Sequence, residues 1–257
     1  MLGWNSLGQL TQASRYQKGT ATYGYDAFDR RVRRTAPDGT VIRYLYDGDD
    51  LLMEVDGAGN SIREYTYLPG VDRPHSVRVS QTGASYYYAT DHPGNVIGLI
   101  DGADQVVNQY KYGPWGEPEL VNGPIEQPLG YTAREWDATA GLYQVRARWY
   151  DPQIGRFVSE DPMGLAGGMN PYAYAANSPL NFTDPSGMAA VAVVQMDYDD
   201  IVDILERLGA GLMSPMPFAL LGGAAGSLSG GPGKNREIDK CPLVPRAPRG
   251  ASVVTQE

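Results

Sequence analysis

Few side chains in this chain are suited to acid–base, thiol or metal chemistry. Histidine occurs twice, as His75 and His92, and cysteine once, as Cys241. A lone thiol closes no internal disulfide. Two histidines without a surrounding Cys/His cluster make no metal site, and no cofactor is expected. His92 lies in Asp91-His92-Pro93-Gly94-Asn95. Imidazole titrates near neutrality, but no Ser or Cys nucleophile arrangement accompanies it, and Pro-Gly-Asn is strong turn chemistry. A structural turn histidine is the favoured reading. Asp-Pro recurs at 151–152, 161–162 and 184–185. Each pair opens a turn, because the Asp side chain accepts backbone N–H groups and Pro presets φ.

The elements that must position these groups are read from composition and spacing. The 257 residues include 32 Gly, 19 Pro and 18 Tyr against 4 Phe, a balance that suits many short strands and tight turns. Trp4, Tyr25, Tyr46, Tyr67 and Tyr88 are spaced by 21 residues. Around them stand WNSLGQL (4–10), YDAFDRRV (25–32), YDGDDLLMEV (46–55), YLPG (67–70) and YATDHPGNVIGLI (88–100). Runs such as Val41-Ile42-Arg43-Tyr44-Leu45-Tyr46 are rich in β-branched and aromatic residues. Asp38-Gly39, Asp56-Gly57 and Asp101-Gly102 are expected to supply the positive φ of two-residue hairpin turns. One hairpin per repeat follows, and lone hairpins being marginal, the units must stack edge to edge. The expected fold is mainly β, a curled antiparallel sheet of repeat hairpins.

From Gly141 the pattern changes to GLYQVRARWYDPQIGRFVSEDPMGLAGGMNPYAYAANSPLNFTDPSG (141–187). Tyr143, Trp149, Tyr150, Phe157, Tyr172 and Tyr174 are expected to give this segment an aromatic core. These residues and the Tyr-Asp repeats together resemble the YD repeats and core module of Rhs proteins, toxin-complex C subunits and teneurins, over roughly residues 4–188. In that family the repeats wind into a hollow β-shell, or β-shell fragment here, around a C-terminal cargo. The resemblance implies repeats over 1–120, a core or plug module over 121–188 and a variable tail over 189–257. It also implies that Asp161 and Asp184 form an intramolecular aspartyl-protease site, supported by Arg156 of the Gly-Arg-Phe motif, cutting between Met188 and Ala189. Such chemistry needs two carboxylates near enough to share a proton, one acting as base towards water and the other polarising the carbonyl. Met188 stands where the family pattern has Leu, a swap close in volume and polarity.

The formal charge is −9, divided as −7 over residues 1–188 and −2 beyond, which offers no electrostatic footprint for nucleic acid. The tail is expected to carry one amphipathic helix, Asp199–Leu208, with Asp197, Asp199, Asp200, Asp203 and Glu206 as its solvated side. The Gly/Pro/Ser-rich stretch after it reads as linker-like. Residues 1–19 lack a signal-peptide pattern and read as the middle of a repeat, so further repeats are expected upstream. Two functions are open at this point. One is a self-processing toxin shell, secreted or at the cell surface as part of a larger bacterial protein, with upstream repeats, its own cargo and an immunity protein as partners. The alternative is a non-catalytic surface or wall-associated protein whose repeats bind carbohydrate or neighbouring cells.

Overall fold

A computed structural model describes residues 1–193. The expected helix at 199–208 lies outside them. Twelve strands form one antiparallel sheet in chain order. Its first half comprises β1 (Leu2–Trp4), β2 (Leu10–Arg15), β3 (Gly19–Tyr25), β4 (Arg31–Thr35), β5 (Val41–Asp47) and β6 (Asp50–Asp56). The second half comprises β7 (Ser61–Tyr67), β8 (Pro74–Val79), β9 (Ala84–Thr90), β10 (Val96–Ile100), β11 (Val106–Tyr112) and β12 (Pro118–Asn122). The mainly antiparallel β fold and the repeat of one hairpin per 21 residues are therefore observed.

The turns differ from expectation. The expected Asp-Gly sites lie in five-residue loops, a form closed for example by Asp26 N–H on the Arg30 carbonyl, Asp56 on Asn60 and Asp101 on Gln105, while Gly48-Asp49 makes a two-residue turn between β5 and β6. The positive φ falls on the fourth residue of each loop, at Asp29, Gly39, Gly59, Gly94 and Asp104. Where the first residue is Asp, its side chain holds this geometry. Asp26 Oδ1 accepts the N–H groups of Phe28 and Arg30, and Asp56 and Asp101 do the same in their own loops. An Asp that satisfies two backbone donors stabilises a wider loop than Asp-Gly alone would close.

The aromatic that precedes the loop sets the curvature. Pairing registers shift at Trp4, Tyr25, Tyr46 and Tyr67, so the 21-residue repeat places a bulge at regular intervals. Each bulge bends its strand and adds twist. The tyrosine hydroxyl braces the bend: Tyr25 donates to the Leu10 carbonyl at 2.8 Å and Tyr46 to the Arg31 carbonyl at 2.9 Å.

The inner face packs on a second unit of β13 (Glu135–Asp137), β14 (Leu142–Val145), β15 (Arg148–Asp151) and β16 (Arg156–Phe157), followed by a small hairpin of β17 (Phe182–Thr183) and β18 (Val191–Ala192). Tyr143, Tyr150, Phe157 and Tyr174 form its core, and Trp149 packs with Leu10, Ala13, Ala21 and Tyr23 of the large sheet. Tyr172 departs from expectation and stands partly exposed, donating to Glu160.

Buried ion pairs join the two units. Arg31 meets Glu135, and Arg34 Nε lies 2.8 Å from Asp137 Oδ2, which also accepts the Tyr23 hydroxyl at 2.9 Å. Burial presses the Asp137 carboxyl upward, but the Arg34 hydrogen bond and charge outweigh it and hold it below the usual carboxylate range. Breaking such a pair strands the partner charge in the interior. Asp137→Ala is expected to cost about 3–5 kcal/mol in denaturant unfolding. Leu7→Ala, at an exposed loop position, should shift stability by less than about 0.5 kcal/mol.

Candidate active site

Asp161 and Asp184 arrive from opposite ends of a 23-residue excursion after β16, each at the head of its Asp-Pro turn. Asp161 Oδ1 accepts the Met163 N–H at 2.8 Å. Gly167 crowds its other side: a Cβ there would stand 2.5 Å from Asp161 Oδ2. Asp184 lies between the strands of the β17–β18 hairpin, whose loop carries the Met188–Ala189 bond. The two-stranded pairing, Thr183 with Val191 and Phe182 with Ala192, folds the bond back onto the aspartate. Asp184 Oδ1 accepts the N–H groups of both Met188 and Ala189, each at 3.0 Å.

One guanidinium joins the two carboxylates. Arg148 Nη2 is 3.0 Å from Asp161 Oδ2 and 3.3 Å from Asp184 Oδ2. All three side chains are buried, with relative exposures of 2%, 8% and 4%. Arg148 also donates through Nε to the Gly187 carbonyl and through Nη1 to the Pro171 carbonyl at 3.0 Å, and its guanidinium sits 3.6 Å over the Phe157 ring. Burial lowers the Arg148 pKa, and the Asp161 and Asp184 charges oppose that shift. Arginine resists deprotonation even so, which makes it a fixed positive charge between the two acids.

Arg156, the arginine named from the Gly-Arg-Phe motif, is not brought to the carboxylates. On β16 it is exposed and lies across the strand register from Asp151, while its neighbour Phe157 turns inward opposite Tyr150. Alternation along a strand excludes both residues from one face. The same rule marks Arg148, two residues before the inward Tyr150 on β15. That spacing was the available signal in Arg148-Trp149-Tyr150-Asp151, and sequence reasoning missed it.

A cleft of about 560 Å³ opens beside the site, lined among others by Asp161, Ser186, Met188, Ala147 and Trp149. His92 is exposed within the 91–95 loop, whose Asn95 binds both Asp91 and the Thr132 N–H. Among the described residues no group of three or more His, Cys, Asp or Glu side chains is arranged to hold a metal.

The family model for the teneurin YD-shell matches residues 2–179. The chain belongs to that family. Among curated YD-shell relatives, the tRNA3(Ser)-specific nuclease WapA of Bacillus spizizenii is 32% identical over 195 residues, covering 72% of this chain and 8% of its own. Toxin protein Tse5 of Pseudomonas aeruginosa is 30% identical over 231 residues, covering 75% of this chain and 17% of its own. Toxin subunit YenC1 of Yersinia entomophaga is 28% identical, with 73% and 22% covered. The chain thus spans a small part of each relative's length. Among solved structures, the TcdB2-TccC3-Cdc42 complex superposes with a TM-score of 0.59 at 23% identity, over 73% of this chain and 10% of that one, which is a likeness of fold.

Gly187 seats the 184–189 loop against the turn between β14 and β15. Its φ is +71°, and a Cβ would run into the Val145 carbonyl oxygen and stand 3.1 Å from the Arg148 nitrogen. Both obstacles are backbone and cannot swing aside. Gly187→Ala is expected to destabilise the chain by more than about 1 kcal/mol and to loosen residues 184–189, read as faster cutting there by an added protease.

Proposed function

We propose that this chain is the C-terminal part of an Rhs-type polymorphic-toxin shell that encloses the segment after residue 188 and frees it by cutting Met188–Ala189 in cis. The observation that carries the reading is the hydrogen bond from the Ala189 N–H to Asp184, with Arg148 linking that same aspartate to Asp161. The nitrogen that must leave is already in contact with one acid, and the second acid borders a cleft that water can enter.

The chemistry is hydrolysis. A water oxygen bonds to the Met188 carbonyl carbon as Asp161 takes its proton. That proton passes on to the Ala189 nitrogen, which Asp184 holds, as the C–N bond breaks. The products are a carboxyl at Met188 and an amine at Ala189. The placement supports these roles: Asp161 borders the cleft and Asp184 contacts the leaving nitrogen, with Arg148 joining the two. Arg148 offsets the negative charge of the pair and braces the Gly187 carbonyl next to the bond.

Relatives named as toxins support the cargo reading. In this reading the repeats of 1–120 and the core of 121–188 cap a shell completed by upstream repeats. The tail, 189–257, is the cargo, and a separate immunity protein restrains it in the producing cell. The shell is secreted or presented at the surface, and no helix among the described residues is long and apolar enough to cross a membrane.

Intact mass of the purified chain tests this directly. Wild type is expected as two pieces parted between Met188 and Ala189, together one water heavier than the uncut chain. Asp161→Asn and Asp184→Asn should each slow the cut by about 10²–10⁴-fold. Uncut wild type, or cutting indifferent to both variants, would return the site to a structural plug and favour the carbohydrate-binding surface reading.

A further inference from the structure

We propose that Asp72, in the loop between β7 and β8 of the repeat sheet, is a positioning residue for the Met188–Ala189 bond, acting through Arg146. The inference rests on the self-cleavage reading of the same site. It adds a dependence of processing on the folded repeats, 74 residues and more away in sequence.

The tight turn between β14 and β15 runs alongside the residues that precede the scissile bond. Three consecutive positions of the turn donate to three consecutive carbonyls: Arg146 Nη1 to Pro185, Ala147 N–H to Ser186 at 3.2 Å, and Arg148 Nε to Gly187. Every carbonyl between Asp184 and Met188 is therefore tethered. Two of the tethers come from strand and turn backbone or from the arginine that binds the carboxylates. The first depends on Arg146 alone, which holds φ at +42°. A non-glycine residue keeps that conformation only where its surroundings enforce it.

Asp72 holds the Arg146 guanidinium. Its Oδ1 accepts Arg146 Nη2 at 2.8 Å and its Oδ2 accepts Arg146 Nη1 at 3.2 Å, a two-point fork that fixes the guanidinium plane. The Nη1 atom of that fork is the one that reaches the Pro185 carbonyl. Arg134, also buried, lies against Asp72 Oδ1. Burial and then the nearby Arg146 charge press the Arg134 pKa down to about 9, and Asp72 is the carboxylate between these two cations. Asp49 is 3.8 Å from Arg146 Nε and mostly exposed, too loose and too solvated to substitute. Remove Asp72 and Arg146 loses the fork that fixes its plane beside the like charge of Arg134, so the Pro185 tether fails first.

Misplacing a reacting group by about 1 Å costs roughly 10²-fold in rate. The full chain is made by cell-free synthesis, and the first-order appearance of the 1–188 product is followed on gels, with thermal melting of the product as the measure of folding. Asp72→Ala and Arg146→Ala should each slow the cut about 10–100-fold. The double variant should be no slower than Arg146→Ala, because the two act as one unit. Asp72→Glu, which keeps the carboxylate, should recover part of the rate. Cutting of Asp72→Ala at the wild-type rate would overturn the inference. So would slowing that merely tracks lost folded protein, or effects of the two variants that multiply. Should wild type stay whole, the self-cleavage reading fails by itself, and an added protease then decides on the clamp. Attack within residues 185–189 at least about 10-fold faster in Asp72→Ala supports it, and equal attack overturns it.

Discussion

The buried guanidinium of Arg148 is the interaction on which the site depends. Two carboxylates in an interior repel each other and resist losing water, so neither stays there without compensation. Arg148 supplies it at 3.0 and 3.3 Å while lying over Phe157. Its remaining donors hold the Gly187 and Pro171 carbonyls. One residue therefore sets the separation of the acids and the height of the loop above them. An ammonium could neutralise the charge but lacks the planar fork needed to reach these partners together.

That guanidinium is itself placed by layers of packing. Arg148 begins β15, and β15 is held by an aromatic core of Tyr143, Tyr150, Phe157 and Tyr174, with Tyr150 and Tyr174 ring centres 4.1 Å apart. The core is pressed on the concave face of the repeat sheet by Trp149 against Tyr23 and by the Arg31–Glu135 and Arg34–Asp137 pairs. The concavity arises from bulges at Trp4, Tyr25, Tyr46 and Tyr67. A flat sheet would not face the core along so many strands. The route from a 21-residue spacing to a positioned carboxylate pair is thus a continuous chain of local geometry.

Much of the fold was legible. The 21-residue spacing of aromatics announced a hairpin per repeat because an antiparallel ladder with short connections has few other periods. The turn type was misread. Asp-Gly suggests a two-residue turn, and here the first Asp binds two backbone N–H groups and closes a five-residue loop instead. The aromatic core was anticipated for Tyr143, Trp149, Tyr150, Phe157 and Tyr174, whereas Tyr172 stands outside it, exposed in the turn that the Ala173 N–H closes on the Asn170 carbonyl.

For the site, the sequence by itself determined the Asp-Pro turns, and its resemblance to the YD-repeat family singled out Asp161, Asp184 and Arg156 among their residues. Local spacing is enough for the turns because Asp-Pro chemistry is short-range. Only the tertiary structure decided which arginine meets the acids, Arg148 rather than Arg156, since that depends on which strand face the aromatic core claims. It alone brought Asp72 to Arg146 and Asp184 to the Ala189 nitrogen. Those contacts join separate strands, loops and turns, and no periodicity records them. Their distances follow from the curvature of the sheet and the depth at which the core is seated within it.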